Sequence, residues 1–184
     1  MENFLDLLSV YHPIDAQEEA SRQKIISLVK NYGTPAFDHD FLPGHITASA
    51  LVVNKALTHV LLNHHKKLDM WFQFGGHSDG SPDVRATAMR EAQEESGLHS
   101  LEFYPGQGIL DVDVHNIPEH GGMPAHQHHD VRFLLTADMD ESFAISKESH
   151  DIKWVKFEDI ESYNHEDTFH RMINKVIVLR KSLP

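Results

Sequence analysis

The amino-acid sequence predicts an α/β protein in which a mixed β-sheet lies between layers of helices and follows an N-terminal helical extension. Helical segments, with apolar residues three and four positions apart, stand near both ends and in the middle of the chain. Segments with alternating or β-branched apolar residues fill the intervals. The chain has 184 residues, 40% hydrophobic and 24% charged, which is enough for a domain with its own core.

Two helices are predicted before the sheet. The first runs from Met1 to Tyr11, and the second from about Ala16 to Asn31. Asp15 and Glu18 have capping-box spacing at the start of the second helix.

A linker is predicted after these helices, in residues 34–44, which contain two prolines. We therefore expect a helical extension with its linker in residues 1–44 and the main domain in residues 45–184.

The predicted strands lie on both sides of a central helix. They are His45–Asn54, Thr58–His65, Met70–Phe74, Ile109–Ile117, His129–Ala137 and Ile152–Val155. The short gap between the first two indicates a hairpin. Residues 118–128 form a loop rich in proline, glycine and histidine, and Asn164 is the expected cap of a last helix.

The central helix is predicted from Pro82 to Ser96, after the glycine pair Gly75 and Gly76. Ser81 is a suitable N-cap and proline suits the first helical position. Gly97 suits the left-handed position that follows a helix.

Three glutamates share one face of this helix. Glu91, Glu94 and Glu95 stand at positions i, i+3 and i+4, where like charges repel. Acidic groups near a helix C-terminus also oppose the helix dipole. A hard divalent cation would relieve both effects, because such ions take carboxylate oxygens as ligands.

Composition excludes several classes of function. The chain has no cysteine, so it has no disulfide and no thiolate metal site. A net charge of −12 disfavours nucleic-acid binding. The N-terminus lacks the pattern of a signal peptide, and no apolar run reaches the roughly 20 residues of a membrane helix. We therefore expect a cytoplasmic protein that binds neither membranes nor nucleic acid.

The segment from Gly76 to Leu98 resembles the signature of the Nudix hydrolases. That signature is Gly, five residues, Glu, seven residues, then Arg-Glu-hydrophobic-x-Glu-Glu-x-Gly-hydrophobic. The residues in register are Gly76, Arg90, Glu91, Ala92, Glu94, Glu95, Gly97 and Leu98. The surrounding strands and last helix also match the family's α/β/α order, so the resemblance extends from about residue 46 to the C-terminus.

Position 82 departs from the family pattern, because proline stands where the signature has glutamate. In the family that glutamate pairs with the arginine that corresponds to Arg90. We expect Asp79 or Asp83 to replace it. Ala92 is a small member of the hydrophobic class, which is a milder departure.

The resemblance implies a metal site for Mg²⁺, with Mn²⁺ as a substitute. Glu91 and Glu95, one helical turn apart, are the expected ligands. Glu94 is expected to bind a further ion or to accept the proton of the attacking water. The carbonyl oxygen of Gly75 is a further candidate ligand.

Other site residues are expected around these ligands. Arg90 should orient the acidic side chains, and Gly76 and His77 should contact substrate. The family usually adds an acid from a later loop. Glu148 is the first candidate for that acid and Glu141 the second, although an ordinary surface glutamate is an equal alternative at position 148.

The chain has sixteen histidines, and three of them are close together at His126, His128 and His129. Their imidazoles would suit a transition metal, whereas the alternative is a solvated loop.

The resemblance implies hydrolysis of a diphosphate bond in a nucleoside diphosphate linked to another moiety, by attack of water on phosphorus. The alternatives are an inactive nucleotide-binding Nudix module and a diphosphate isomerase on the same fold, although the isomerase relies on a cysteine that this chain lacks. The expected partner is a small-molecule nucleoside diphosphate derivative. The N-terminal helices could pack on their own domain, cover the site or form a homodimer contact.

Overall fold

A computed structural model describes residues 2–182 of the chain. Met1, at which the predicted first helix begins, and residues 183–184 of the predicted main domain lie outside them. The helices are α1 (Glu2–Ser9), α2 (Ala16–Tyr32), α3 (Val84–Ser96) and α4 (Asp167–Lys181). The strands are β1 (Gly44–Asn54), β2 (His59–His65), β3 (Met70–Phe72), β4 (Phe74–His77), β5 (Glu102–Phe103), β6 (Ile109–Ile117), β7 (His126–Ala137) and β8 (Ser149–Lys156). Short 3₁₀ turns cover Thr34–Phe37 and Phe157–Ser162.

In the part of the chain that the structure describes, the eight strands form one mixed sheet. Strand β1 pairs in parallel with β7 over its whole length, from Gly44 beside Gln127 to Asn54 beside Ala137. The other edge of β1 is shared by two antiparallel partners, β4 and β2. Strands β5 and β6 pair with β7, and β3 and β8 pair with β2. The mixed sheet predicted from the sequence is confirmed.

Helices cover both faces of this sheet. Side chains alternate along β1, so Ala48 and Ala50 enter the hydrophobic cluster beneath α3. Leu51 and Val53 enter a second cluster, which contains Phe169 and other residues of α4. This arrangement confirms the predicted α/β/α sandwich.

The N-terminal helices pack on the domain. Phe4 and Leu8 of α1, and Ile25 and Val29 of α2, are buried in the same cluster as Ala88 of α3. These helices are therefore packed on their own domain, and a homodimer contact stays a prediction. The boundary between residues 44 and 45 stays a prediction.

Helix α3 begins at Val84, so the predicted start at Pro82 is wrong by two residues. Asp83, and not Ser81, is the N-cap, because its Oδ1 accepts the N–H of Ala86 at 3.0 Å. The carboxylate satisfies one of the open N–H groups of the first turn.

Helix α4 begins with Glu166 as its N-cap, and not with Asn164. The side chain of Asn164 instead bridges two elements. It accepts the N–H of Glu166 at 2.8 Å and donates to the carbonyl of Trp71 at 2.8 Å.

Strand boundaries also differ from the prediction. Strand β7 begins at His126, three residues before the predicted start at His129, because its first residues pair with the start of β1. The predicted strand Met70–Phe74 is two strands, separated at Gln73. The two-residue strand β5 was too short to predict from sequence alternation.

Candidate active site

The glycine pair lies on β4, immediately beside β1. Gly75 is paired with Ser49, and a Cβ at position 75 would lie 2.8 Å from the Cα of that serine. A Cβ at Gly76 would lie 2.6–2.7 Å from the carboxylate group of Glu91. Gly75 is therefore required by the backbone of the neighbouring strand, whereas Gly76 leaves the space that the carboxylate of Glu91 occupies.

Two of the three predicted glutamates lie at this glycine pair. The Glu91 side chain is only 14% exposed. Glu95 is half-buried, and its Oε2 lies 3.5 Å from Nδ2 of Asn63. The Glu94 side chain is 62% exposed. The structure thus brings Glu91 and Glu95 together beside the glycines and leaves Glu94 at the outer side of the helix.

The two inner carboxylates are poorly solvated. Burial and then the charge of Glu91 raise the pKa of Glu95 to about 8, against the hydrogen bonds from Asn63 and from the backbone of Gly75. Burial also raises the pKa of Glu91, although the charge of Arg90 opposes this shift. Desolvated acids beside each other are electrostatically unfavourable when both are ionised, and they fit the donor set of a hard divalent cation.

Arg90 contacts both the helix and the loop before it. Its Nη1 lies 2.8 Å from Oε1 of Glu91 and 3.3 Å from Oε2 of Glu94. Its Nη2 donates to the carbonyl of His77 at 3.0 Å and lies 3.7 Å from Oδ2 of Asp79. Of the two aspartates expected to pair with Arg90, Asp79 is the one that lies near it, whereas Asp83 caps the helix.

The two later glutamates have different environments. Glu148 is exposed in the turn before β8, and its negative charge contributes to the raised pKa of Glu95. The carboxylate of Glu141 accepts the N–H groups of His99 and Ser100 at 2.8 and 3.0 Å. Glu141 therefore holds the loop after α3, and Glu148 is the better placed of the two candidates.

The predicted histidine trio does not come together. His126 and His128 share one end of the sheet, with ring centroids 5.2 Å apart. The side chain of His129 lies on the other face of β7. Burial, with a smaller contribution from the charge of Lys24 on α2, lowers the pKa of His129 to about 4. The residues that do lie beside His128 are His45 and His77. Sequence spacing could not reveal them, because they come from β1 and β4.

These observations define a class of protein. It is an α/β/α sandwich in which the acidic helix α3 packs against β4, the strand that contains Gly75 and Gly76. A family model for the NUDIX domain matches residues 43–175. The chain therefore belongs to the Nudix family of hydrolases. Comparison with curated protein sequences gives no significant match.

Solved structures show the same fold. An Ap4A hydrolase from C. elegans, in a binary complex, has a TM-score of 0.61 and 17% identity, covering 75% of this chain and 98% of its own. A NUDIX-family hydrolase from Clostridium perfringens has a TM-score of 0.55 and 25% identity, covering 73% and 97%. A MutT protein from Methanosarcina mazei Go1 has a TM-score of 0.58 and 20% identity, covering 76% and 97%.

No helix within residues 2–182 is long and apolar enough to cross a membrane.

Proposed function

We propose that this Nudix hydrolase cleaves a diphosphate bond in a nucleoside diphosphate linked to another moiety, with Mg²⁺ as its cofactor and Mn²⁺ as a substitute. One observation carries the proposal. Glu91 and Glu95 lie one helical turn apart, poorly solvated, with the carboxylate of Glu91 against the backbone of Gly76. Two ionised acids at this spacing would repel each other, and a bound divalent cation would relieve that repulsion.

Glu91 and Glu95 would hold the ion, and the carbonyl oxygen of Gly75 is the proposed third protein ligand. When bound, the ion neutralises phosphate charge and makes water a better nucleophile. Because Gly76 has no side chain, the carboxylate of Glu91 can lie beside β4. The backbone atoms of Gly76 and His77 are the proposed substrate contacts, because the ring of His77 lies on the face of the sheet away from α3.

Arg90 is proposed as the residue that positions these acids. Its bonds to Glu91 and to the carbonyl of His77 join the metal-binding helix to the end of the glycine strand. We expect this side chain to act through the geometry of Glu91.

The proton of the attacking water needs an acceptor, and two exposed glutamates are proposed for this role. Glu94 lies on α3 beside Glu95, and Glu148 approaches from the turn before β8. Comparing Glu94→Gln with Glu148→Gln separates them, because loss of the acceptor lowers kcat mainly, and by about 10²–10⁴-fold.

We further propose that the reaction is cytoplasmic and that the substrate is a small molecule. A net charge of −12 and the absence of cysteine support both statements. An inactive nucleotide-binding module is the alternative, and a homodimer stays a prediction.

The proposal is tested with a panel of ADP-ribose, dinucleoside polyphosphates, nucleotide sugars, oxidised nucleotides and coenzyme A derivatives. Products are detected by phosphate release with a coupled phosphatase. We expect hydrolysis of at least one compound with Mg²⁺, and loss of that activity in EDTA. Glu95→Gln should reduce kcat by about 10²–10³-fold.

Glu161→Gln is the matched control, because Glu161 is 75% exposed on a 3₁₀ turn. It should retain full activity. Activity that survives EDTA or persists in Glu95→Gln would contradict the metal assignment. Binding of a nucleotide without hydrolysis of any compound would favour the inactive module.

A further inference from the structure

Three histidines from three strands converge at one end of the sheet. His45 lies at the start of β1, His77 ends β4 and His128 lies near the start of β7. One ring nitrogen of each lies within 4.8 Å of the others. The ring centroids are 4.9 Å apart for His45 and His128, 5.1 Å for His45 and His77, and 5.3 Å for His77 and His128.

Strand pairing explains this convergence. His45 is directly beside His128 in the parallel pair. His77 is opposite Thr47, two residues further along β1, so the alternation of side chains puts all three rings on one face of the sheet. Ala48, on the other face of β1, enters the core beneath α3. The histidine cluster is thus separated by the sheet from the metal site proposed at α3.

One ring nitrogen of His45 is buried without a hydrogen-bond partner among the described residues. The residue is 1% exposed, and its Nδ1 lies 3.4 Å from the carbonyl oxygen of Phe41, to which it can donate. That tautomer leaves a lone pair on Nε2. Among the described residues this buried Nε2 has no hydrogen-bond partner. A histidine that donates from one ring nitrogen to a carbonyl and keeps a lone pair on the other has the usual hydrogen bonding of a metal ligand.

Burial favours the neutral form of the two histidines at the centre of this cluster. Burial is the main cause that lowers the pKa of His45 to about 4, and a proton on His77 would act in the same direction. Burial and then the neighbouring histidines lower the pKa of His128 to about 2. Neutral imidazole with an available lone pair is the ligand form of histidine.

We propose that His45, His77 and His128 bind a transition-metal ion of the Zn²⁺ type. Three imidazoles without a carboxylate select a borderline ion over Mg²⁺, which prefers oxygen ligands. Zinc takes nitrogen ligands at about 2.0–2.1 Å, which places them roughly 3.4 Å apart, so rotation of the partly exposed rings completes the site. The ring centroid of His126 is 5.0 and 5.2 Å from those of His45 and His128, which makes it a candidate fourth ligand.

Such an ion would fasten the ends of β1, β4 and β7 to one another. It would also fix the position of His77, whose carbonyl oxygen accepts a hydrogen bond from Arg90. The inference stands independently of the proposed hydrolysis, because the ligands and the expected metal are different.

The test uses the full chain, stripped of metal with a chelator and titrated with Zn²⁺ and with Co²⁺. We expect one tightly bound zinc ion per chain, a higher Tm with zinc, and the strong visible absorption of tetrahedral Co²⁺. To separate this site from the acidic one, the titration is repeated in the double variant Glu91→Gln/Glu95→Gln, which should bind zinc as tightly as the unmodified chain.

His128→Gln should weaken zinc binding by at least about 100-fold. His45→Gln should do the same, and His128→Gln, at a partly exposed position, keeps the test valid should the buried variant fail to fold. His165→Gln, which changes an exposed histidine near α4, is the matched control and should bind zinc normally. Zinc that is lost in the glutamate double variant but kept in His128→Gln, or no tight zinc in the unmodified chain, would overturn the proposal.

Discussion

A side chain at Gly76 would put its Cβ 2.6 Å from Cδ of Glu91. The backbone of this glycine does not have a positive φ angle, so glycine is favoured here by the position of the Glu91 carboxylate and not by backbone strain. The signature glycine of this chain is therefore explained by the position of a proposed metal ligand.

Gly76→Ala should displace Glu91 and lower kcat/KM by about 100-fold, because misplacement of a catalytic group by about 1 Å has an effect of that size. Because this carboxylate ends a flexible side chain, the free energy of unfolding should fall by less than the roughly 1–3 kcal/mol of overpacking in a rigid core. Steady-state kinetics with saturating Mg²⁺ and urea unfolding measure the two effects. Gly108→Ala is the control, because its nearest neighbour, a methyl of Leu7, is 4.0 Å away. Equal activity in both variants would contradict this explanation of Gly76.

Arg90→Gln should lower kcat/KM by about 10²-fold, since Glu91 would lose its closest charged partner. Asp79→Asn should lower it less than about 10-fold. The pair of Asp79 with Arg90 is long, at 3.7 Å, and both side chains are exposed, so its contribution is small.

Kinetics of the two variants over a series of Mg²⁺ concentrations check this order. Arg85→Gln is a suitable control on the same helix, because Arg85 lies over the ring of Phe103 and away from the acids. If Asp79→Asn were as damaging as Arg90→Gln, the aspartate would have a larger role than its distance indicates.

Local sequence patterns predicted the acidic helix well. The i and i+4 spacing placed Glu91 and Glu95 together, and nearness along the chain identified Asp79 as a partner of Arg90. These features depend on a single helix and the loop before it. The side to which Glu94 turns could not be predicted, because it depends on where β4 packs.

Features that depend on strand pairing were beyond the sequence. The cluster of His45, His77 and His128 exists because β1 pairs with β7 in parallel and with β4 antiparallel. The alternation of His126 and His128 was the one local signal, and it indicates a strand where a loop was predicted. A strand predicted from residue 126 would have put the side chain of His129 on the opposite face of the sheet from those of His126 and His128.

Acid conditions should reveal a contribution of Asp113 to stability. Burial alone would raise the pKa of this carboxyl, but the hydrogen bond with His115 and the charge of Arg132 outweigh it and hold the pKa at about 2. An unfolded aspartate has a pKa of about 3.9. The stabilisation is therefore complete above about pH 5 and is lost as the pH falls towards 2, with a size of about 2 kcal/mol.

Asp113→Asn should accordingly lower the free energy of unfolding near pH 7, and the difference from the unmodified chain should shrink between about pH 5 and pH 2. Urea unfolding at several pH values measures it. Asp140→Asn, at an exposed position, provides the comparison and should show no such change. A difference that stays constant with pH would mean that Asp113 acts through packing and not through its charge.

Glu18 joins the N-terminal helices to the rest of the fold. Its side chain is fully buried, and its carboxylate forms an ion pair with Lys175. The carboxylate also accepts hydrogen bonds from the N–H of Ile14, at 2.8 Å, and from the hydroxyl of Tyr11. Glu18→Gln would leave Lys175 buried beside a neutral amide, and removal of one partner from a buried ion pair typically costs about 3–5 kcal/mol. Asp111, 2.9 Å from the same ammonium, should limit the loss to the lower end of that range.

The same substitution tests whether residues 1–44 fold separately from the main domain. If they formed an independent unit, Glu18→Gln would melt α1 and α2 alone, and hydrogen exchange would show faster exchange only there. Because α2, β6 and α4 share this buried charge network, we expect exchange to increase across β6 and α4 as well. Glu161→Gln, at an exposed acid, should leave the exchange pattern unchanged. If exchange increased only in the two N-terminal helices, residues 1–44 would be a separate folding unit, as the predicted boundary at residue 44 implies. The whole chain would then not unfold as one cooperative unit.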